Sequence, residues 1–157
     1  MKIKLLQLGK TNDEDLQTGI ARYEKRLSMY VSFLSETIPS LKDTASLSPA
    51  QVKQKEGELL LNKIKNDDYV MLLDEKGKRF TSVAFARHLE QLQNQSAKQI
   101  VFVVGGAFGF SEAVYNRAQM KLSLSDMTFS HQLIRLIFME QLYRAYTILN
   151  HHPYHNT

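Results

Sequence analysis

His131 and Arg135 stand one helical turn apart at the start of a long apolar run, among Leu133, Ile134, Leu136, Ile137, Phe138 and Met139. At 3.6 residues per turn the two share one side of a helix. A helix apolar over most of its girth is buried on more than one side. A cationic pair on that buried side needs a polar or anionic partner. Two partners answer the need: an anionic ligand, or an acid elsewhere in the core. Glu140, Arg144, Thr147 and His151 fall on roughly the opposite side at spacing i, i+4, i+7, i+11, the pattern of a solvated face. Glu140 and Arg144 also stand in the favourable acid-then-base order.

Three strand-like segments end in residues suited to ligand contact. The first ends in Leu73-Asp74, with Gly77 and Lys78 just beyond. The second ends in Gly105-Gly106-Ala107-Phe108-Gly109, and the third in Leu124-Ser125-Asp126-Met127-Thr128-Phe129. In open parallel sheets ligands bind beyond the carboxyl ends of the strands. Glycines directly after a buried strand let the backbone turn sharply and approach a ligand, although they also make plain strand-to-helix turns. The dinucleotide fingerprint is not matched, because Val104 stands where its first glycine belongs, and the Walker phosphate loop is absent. No G-x-S-x-G elbow supports a serine hydrolase. Cysteine is absent, which excludes disulfides, thiolate metal sites and cysteine nucleophiles. His151, His152 and His155 are of metal-ligating type. They sit in the terminal HHPYHNT with no acidic partner nearby in sequence, so a frayed polar tail and no metal are expected.

The elements that would position these residues follow in order. Ile3 to Leu8 reads as a strand ending at Gly9. Asn12 or Asp13 caps a helix with the apolar stripe Leu16, Ile20, Tyr23 and Leu27. Val31 to Ile38 is a second strand, and Ser48-Pro49 with Gln51 opens a helix to about Lys65. Tyr69 to Leu73 is a continuous apolar run of the buried parallel type, followed by a turn, DEKGK, centred on Gly77. Ser82 caps the next helix, Ile100 to Val104 is another buried strand, and Ser111 starts a short helix. Leu122 and Leu124 mark a last short strand before the terminal helix. This alternation predicts one α/β domain over residues 1–157, with a mostly parallel sheet flanked by helices. A formal charge of +4 and a pI near 9.2 are compatible with a polyanionic partner. The opening MKIKLLQLGK is too short and too charged for a signal peptide's apolar core, and no run is long enough to span a membrane. A cytoplasmic location is expected.

The series LDEKGK (73–78), VVGGAFG (103–109), LSLSDMTFSHQLIRLIFMEQLYRA (122–145) and HPYH (152–155) resembles, in order and spacing, the RlmH family of SPOUT-class RNA methyltransferases. The likeness runs from end to end. It implies an α/β fold whose C-terminal segment forms a trefoil knot, a rarity among proteins. It implies S-adenosylmethionine as cofactor, held at Leu73, Gly105 and the run Leu124, Ser125, Asp126, Met127, Thr128 and Phe129. It implies a homodimer acting on 23S ribosomal RNA in the assembled 70S ribosome, at N3 of a pseudouridine in helix 69. His131 and Arg135 are then placed to grip phosphate or the uracil carbonyls. Tyr154 and His155 become candidates for contact near the acceptor base, supplied across the dimer. A sulfonium methyl is already activated, so neither metal nor covalent intermediate is required, and the catalytic tasks are alignment and loss of the N3 proton.

Two positions depart from the family pattern. Ser130 stands where the family has proline, although serine also caps a helix start. Asn156-Thr157 follows HPYH where a basic residue is common. Two other functions compete with the first: a SPOUT enzyme acting on transfer RNA, and a non-catalytic RNA-binding module that kept the fold. The second predicts salt-sensitive RNA binding without a cofactor pocket.

Overall fold

In a computed structural model that describes residues 1–156, five parallel strands form one sheet in the order β2-β1-β4-β3-β5. The strands are β1 (Lys2–Leu8), β2 (Ser32–Ile38), β3 (Tyr69–Arg79), β4 (Gln99–Val104) and β5 (Met120–Ser123). The helices are α1 (Glu14–Leu27), α2 (Pro49–Leu61), α3 (Ser82–Asn94), α4 (Glu112–Arg117) and α5 (Leu133–Leu149). The alternating pleat sorts the strand side chains into two cores. Ile3, Leu5, Met71, Ile100 and Phe102 pack with Leu27, Phe85 and Phe138 beneath α1, α3 and α5. Leu6, Leu8, Val70, Leu72, Val101 and Val103 pack with Leu60 and Val114 beneath α2 and α4. The central strands are buried on both faces, which is why their sequences read as unbroken apolar runs.

Local chemistry accounts for the helix starts. The Asp13 carboxylate accepts from the amides of Asp15 and Leu16 at 2.8 and 3.2 Å. Ser48 and Gln51 close a reciprocal capping box at 3.2 and 2.8 Å. Ser111 caps α4 through the Val114 amide at 3.3 Å. For α3 the cap is Thr81, whose hydroxyl accepts from Ala84 at 3.1 Å, and Ser82 is the first helical residue.

DEKGK is not a turn. β3 continues through it to Arg79, slips its register between Leu73 and Lys78, and pairs Lys78 and Arg79 with Leu122 and Ser123 of β5. Gly77 permits this approach: a Cβ there would stand 2.5 Å from the Lys121 carbonyl carbon and 2.7 Å from the Leu122 nitrogen. β5 ends at Ser123, so Leu124 opens the following loop. α5 begins at Leu133, its amide held by the Ser130 hydroxyl at 3.1 Å, and His131 therefore lies in the turn before the helix. Among the described residues no helix is long and apolar enough to cross a membrane.

Candidate functional site

Beyond the carboxyl ends of β3, β4 and β5 lies a cleft of about 520 Å³. Leu73, Gly105, Leu124, Ser125, Met127, Thr128, Phe129 and His131 all line it. Asp126 does not. It is exposed and ion-paired with Arg79 on the outside of the same loop. The geometry thus gathers three segments of distant sequence around one hollow, at the edge of the sheet where parallel folds bind ligands.

Each wall has a local cause. Gly105 is packed so closely that a Cβ would meet the Phe110 ring at 2.9 Å, which leaves backbone as the cleft surface there. Behind Gly106 sits the Glu56 carboxyl, 2.7 Å from where a Cβ would be; burial pushes its pKa up. The loop after β5 is shaped by its own serines. Ser123 Oγ donates to the Ser125 carbonyl at 2.9 Å, and Ser125 Oγ accepts from the Met127 amide at 2.9 Å. The Thr128 hydroxyl donates to Glu75 Oε2 at 2.5 Å, tying this loop to the extension of β3.

Asp74, Glu75, Lys76 and Tyr115 also line the cleft; the sequence marks Asp74 as a strand end suited to ligand contact and does not single out the other three. The first three lie inside LDEKGK, where assuming a turn hid their orientation. Tyr115 reaches the cleft from α4, a juxtaposition that no local pattern signals. Its hydroxyl donates to Asp74 Oδ2 at 2.5 Å, while Asp74 Oδ1 accepts from the Lys76 amide at 2.8 Å. Burial first, then the Asp74 carboxylate, pushes the Tyr115 phenol up to about 12. Tyr115 is a donor at neutral pH and not a base.

Arg135 is fully buried, but its guanidinium turns away from the cleft. It donates to the Leu8 carbonyl at 2.7 Å, the Gly9 carbonyl at 2.9 Å and the Thr11 hydroxyl at 3.0 Å. No acidic side chain among the described residues answers it. The carbonyls at the end of β1 do, and they dock the first turn of α5 onto the sheet. Gln132 adds to that docking, donating to the Lys10 carbonyl at 3.0 Å and accepting from the Asn12 amide at 2.9 Å.

Tyr154 and His155 lie elsewhere, neither in the cleft nor in a frayed tail. The segment after α5 folds back along the helix and covers Glu140, Arg144 and Thr147 of the stripe that its spacing marked as solvated; Thr147 is buried, and His151 stays exposed. Tyr154 donates to Glu140 at 3.0 Å, and Arg144 donates to the same carboxylate at 2.6 Å. The Arg144 guanidinium lies 4.7 Å from the Tyr154 ring centre and 3.1 Å from His155 Nδ1. Burial, then the neighbouring Tyr23 hydroxyl and Glu140 carboxylate, raise the Tyr154 pKa. Thr157 lies outside the described residues. No group of acidic and histidine side chains capable of holding a metal occurs among the described residues.

A parallel α/β sheet with a ligand-sized cleft at its carboxyl edge, walled by loop backbone, is the arrangement in which open α/β folds bind small ligands. The comparisons narrow the class. A family model described as a predicted SPOUT methyltransferase matches residues 1–155. Proteins named ribosomal RNA large subunit methyltransferase H are 53% identical in Flavobacterium johnsoniae, 54% in Parabacteroides distasonis and 51% in Christiangramia forsetii, each over 99% of both chains. The chain belongs to the SPOUT methyltransferase family.

Proposed function

We propose that this protein transfers a methyl group from S-adenosylmethionine to N3 of a pseudouridine in helix 69 of 23S ribosomal RNA, acting as a homodimer on the assembled ribosome in the cytoplasm. The observation that carries the reading is the cleft itself. Three of the four segments that carry the likeness to large-subunit RNA methyltransferases, 73–78, 103–109 and 122–145, meet at it, and its bare backbone at Gly105 supports a ligand held there. Its volume of about 520 Å³ suits a nucleoside-sized donor, and the packing at Gly105 leaves bare backbone against which an adenosine fits. When bound, the cofactor supplies a methyl group already activated on a sulfonium.

The chain's own residues then have limited tasks. Gly105 and the loop from Leu124 to Phe129 bind and orient the donor, with Leu73 and Leu124 excluding water from its apolar parts. Asp126, outside the cleft, holds that loop through Arg79. The ties Glu75–Thr128 and Arg79–Asp126 join β3 to the loop after β5 and suit a C-terminal segment threaded as a trefoil knot. His131, on the cleft wall, holds a uracil carbonyl or phosphate, and Arg135 is a positioning residue that fixes the helix behind it. Tyr154 and His155, packed along their own α5, reach the acceptor base in the partner's cleft and assist departure of the N3 proton. Half-buried Leu136 and Ile137 and the exposed Leu133 on α5 support a second copy covering that helix.

The test is methyl transfer from labelled S-adenosylmethionine to ribosomes lacking the modification, with free transfer RNA as comparison, and location of the labelled nucleoside by mass spectrometry. Label on a helix 69 pseudouridine is expected. Label on transfer RNA alone overturns the substrate, and label on neither overturns the reaction.

A further inference from the structure

The loop after β4 carries two phenylalanines with opposite fates. Phe110 is buried, its ring under Gly105 and edge-on to Tyr115 at 5.8 Å, so it helps to hold the cleft floor. Phe108 is 52% exposed, although it too borders the cleft. Its placement is built. The Gly109 amide donates to the Gly106 carbonyl at 3.2 Å, and Gly109 adopts φ +84°, closing a tight turn with Ala107 and Phe108 at its tip. A Cβ at Gly109 would meet nothing within 4 Å, so the tip stands in open space.

A single exposed apolar side chain is ordinary on a protein surface, but this ring is held by a fixed turn at the rim of the cleft, within reach of whatever enters it. Among the described residues five large apolar side chains are exposed, and two of them, Phe108 and Met127, line this one cleft. A small cofactor is mostly enclosed when bound, which directs it to the floor at Gly105, Leu73 and Leu124. The mouth remains for the larger substrate. Proteins read unpaired RNA bases by stacking them on aromatic side chains, with cations nearby for the phosphates. Lys76 at the same cleft provides such a cation, and the His131 ring nitrogens add hydrogen-bonding groups.

We propose that Phe108 is the platform on which the unstacked acceptor base of the RNA lies during methyl transfer. This rests on the RNA-methylating function proposed above and adds the residue that holds the base.

The test uses the full-length Phe108→Ala and Phe108→Trp variants. With unmodified ribosomes, Phe108→Ala should raise KM about tenfold or more, with the dissociation constant for S-adenosylhomocysteine changed less than twofold and dimerisation unaffected. Phe108→Trp should restore KM. An unchanged KM overturns the proposal. So does an equal loss of cofactor affinity, which would put the ring against the adenine, or dissociation on dilution, which would put it against the second copy. The chain has no other tryptophan, so the indole of Phe108→Trp reports occupancy directly. Quenching by a pseudouridine-containing stem-loop RNA supports base stacking, and quenching by S-adenosylhomocysteine alone contradicts it. A wild type that labels neither ribosomes nor transfer RNA overturns the proposed reaction, whereas a labelling wild type with an unaffected Phe108→Ala overturns the platform alone.

Discussion

Around the cleft, backbone does the shaping: Gly105 leaves its wall bare, two serines fold the loop after β5, and Gly77 lets β3 lie against β5. Along the later turns of α5 the shaping is done by side chains. Tyr23, Tyr30, Tyr143 and Tyr154 pack ring to ring at centroid distances of 4.9 to 6.1 Å, with Arg26 and Arg144 against them and Glu140 accepting from Tyr154 and Arg144. The first region offers a ligand groups that every residue possesses, so any specificity there lies in glycine and loop geometry. The second is a store of fixed donors, rings and charge. A methyl transfer that needs both a donor pocket and groups aimed at the acceptor base requires the two regions to meet, and within one chain Tyr154 and His155 do not line the cleft.

The largest expected effect falls on the backbone wall. Gly105→Val puts side-chain carbons against the Phe110 ring and, in the proposed function, beside the donor. Transfer should fall more than about a hundredfold, and calorimetry should show loss of S-adenosylhomocysteine binding while circular dichroism and dimerisation persist. Retained binding would show that the wall is not the cofactor's.

Next comes the side-chain region. The double change Tyr154→Phe with His155→Ala should lower kcat between about tenfold and a hundredfold and leave cofactor affinity intact. A matching loss of cofactor affinity would dissolve the distinction between the regions.

Arg135→Ala is a mixed case. From sequence alone such a change is expected to stop transfer with the fold retained. The structure adds a cost in stability, because two strand-end carbonyls and a hydroxyl lose their donor in the interior. A loss of about 3 kcal/mol is expected, with weaker transfer through misplaced His131. Thermal unfolding and turnover below the transition separate the two contributions.

The smallest effect belongs to Tyr115. Its phenol pKa is raised on folding, so the protonated hydroxyl stabilises the folded state fully below the ordinary tyrosine pKa of about 10. That contribution is lost as pH rises toward about 12. Tyr115→Phe should therefore lower Tm by a few degrees, roughly 2–4 °C, at neutral pH. The gap to wild type should close at alkaline pH, and a gap constant from pH 8 to 11 would contradict the assignment.

What the sequence makes legible here follows from range. The caps at Asp13, Ser48 and Ser111 satisfy amides two or three residues away, and the apolar runs of β3 and β4 announce buried strands by composition alone. The extension of β3 is not legible. Asp74 to Lys78 has turn residues, and only pairing with β5, more than forty residues later, keeps it extended. Arg135 reads as a cation seeking an anion because its acceptors at Leu8 and Gly9 lie 127 and 126 residues away. The stripe Glu140, Arg144 and Thr147 reads as solvated because its cover comes from a tail whose composition suggests fraying. All the positions that the resemblance marks for the cofactor, except Asp126, line one cleft, since parallel strands place their carboxyl ends together.

The claim that the cleft of one chain is completed by the Tyr154–His155 region of another is tested most directly by mixing two impaired proteins. One carries Gly105→Val and the other carries Tyr154→Phe with His155→Ala. Subunit exchange between them creates dimers with one intact cleft facing one intact tail. Recovery of ribosome methylation well above either parent, appearing only after exchange, is the predicted result. Exchange confirmed by mass with no recovery would mean that each tail serves its own cleft, and the composite site would be wrong.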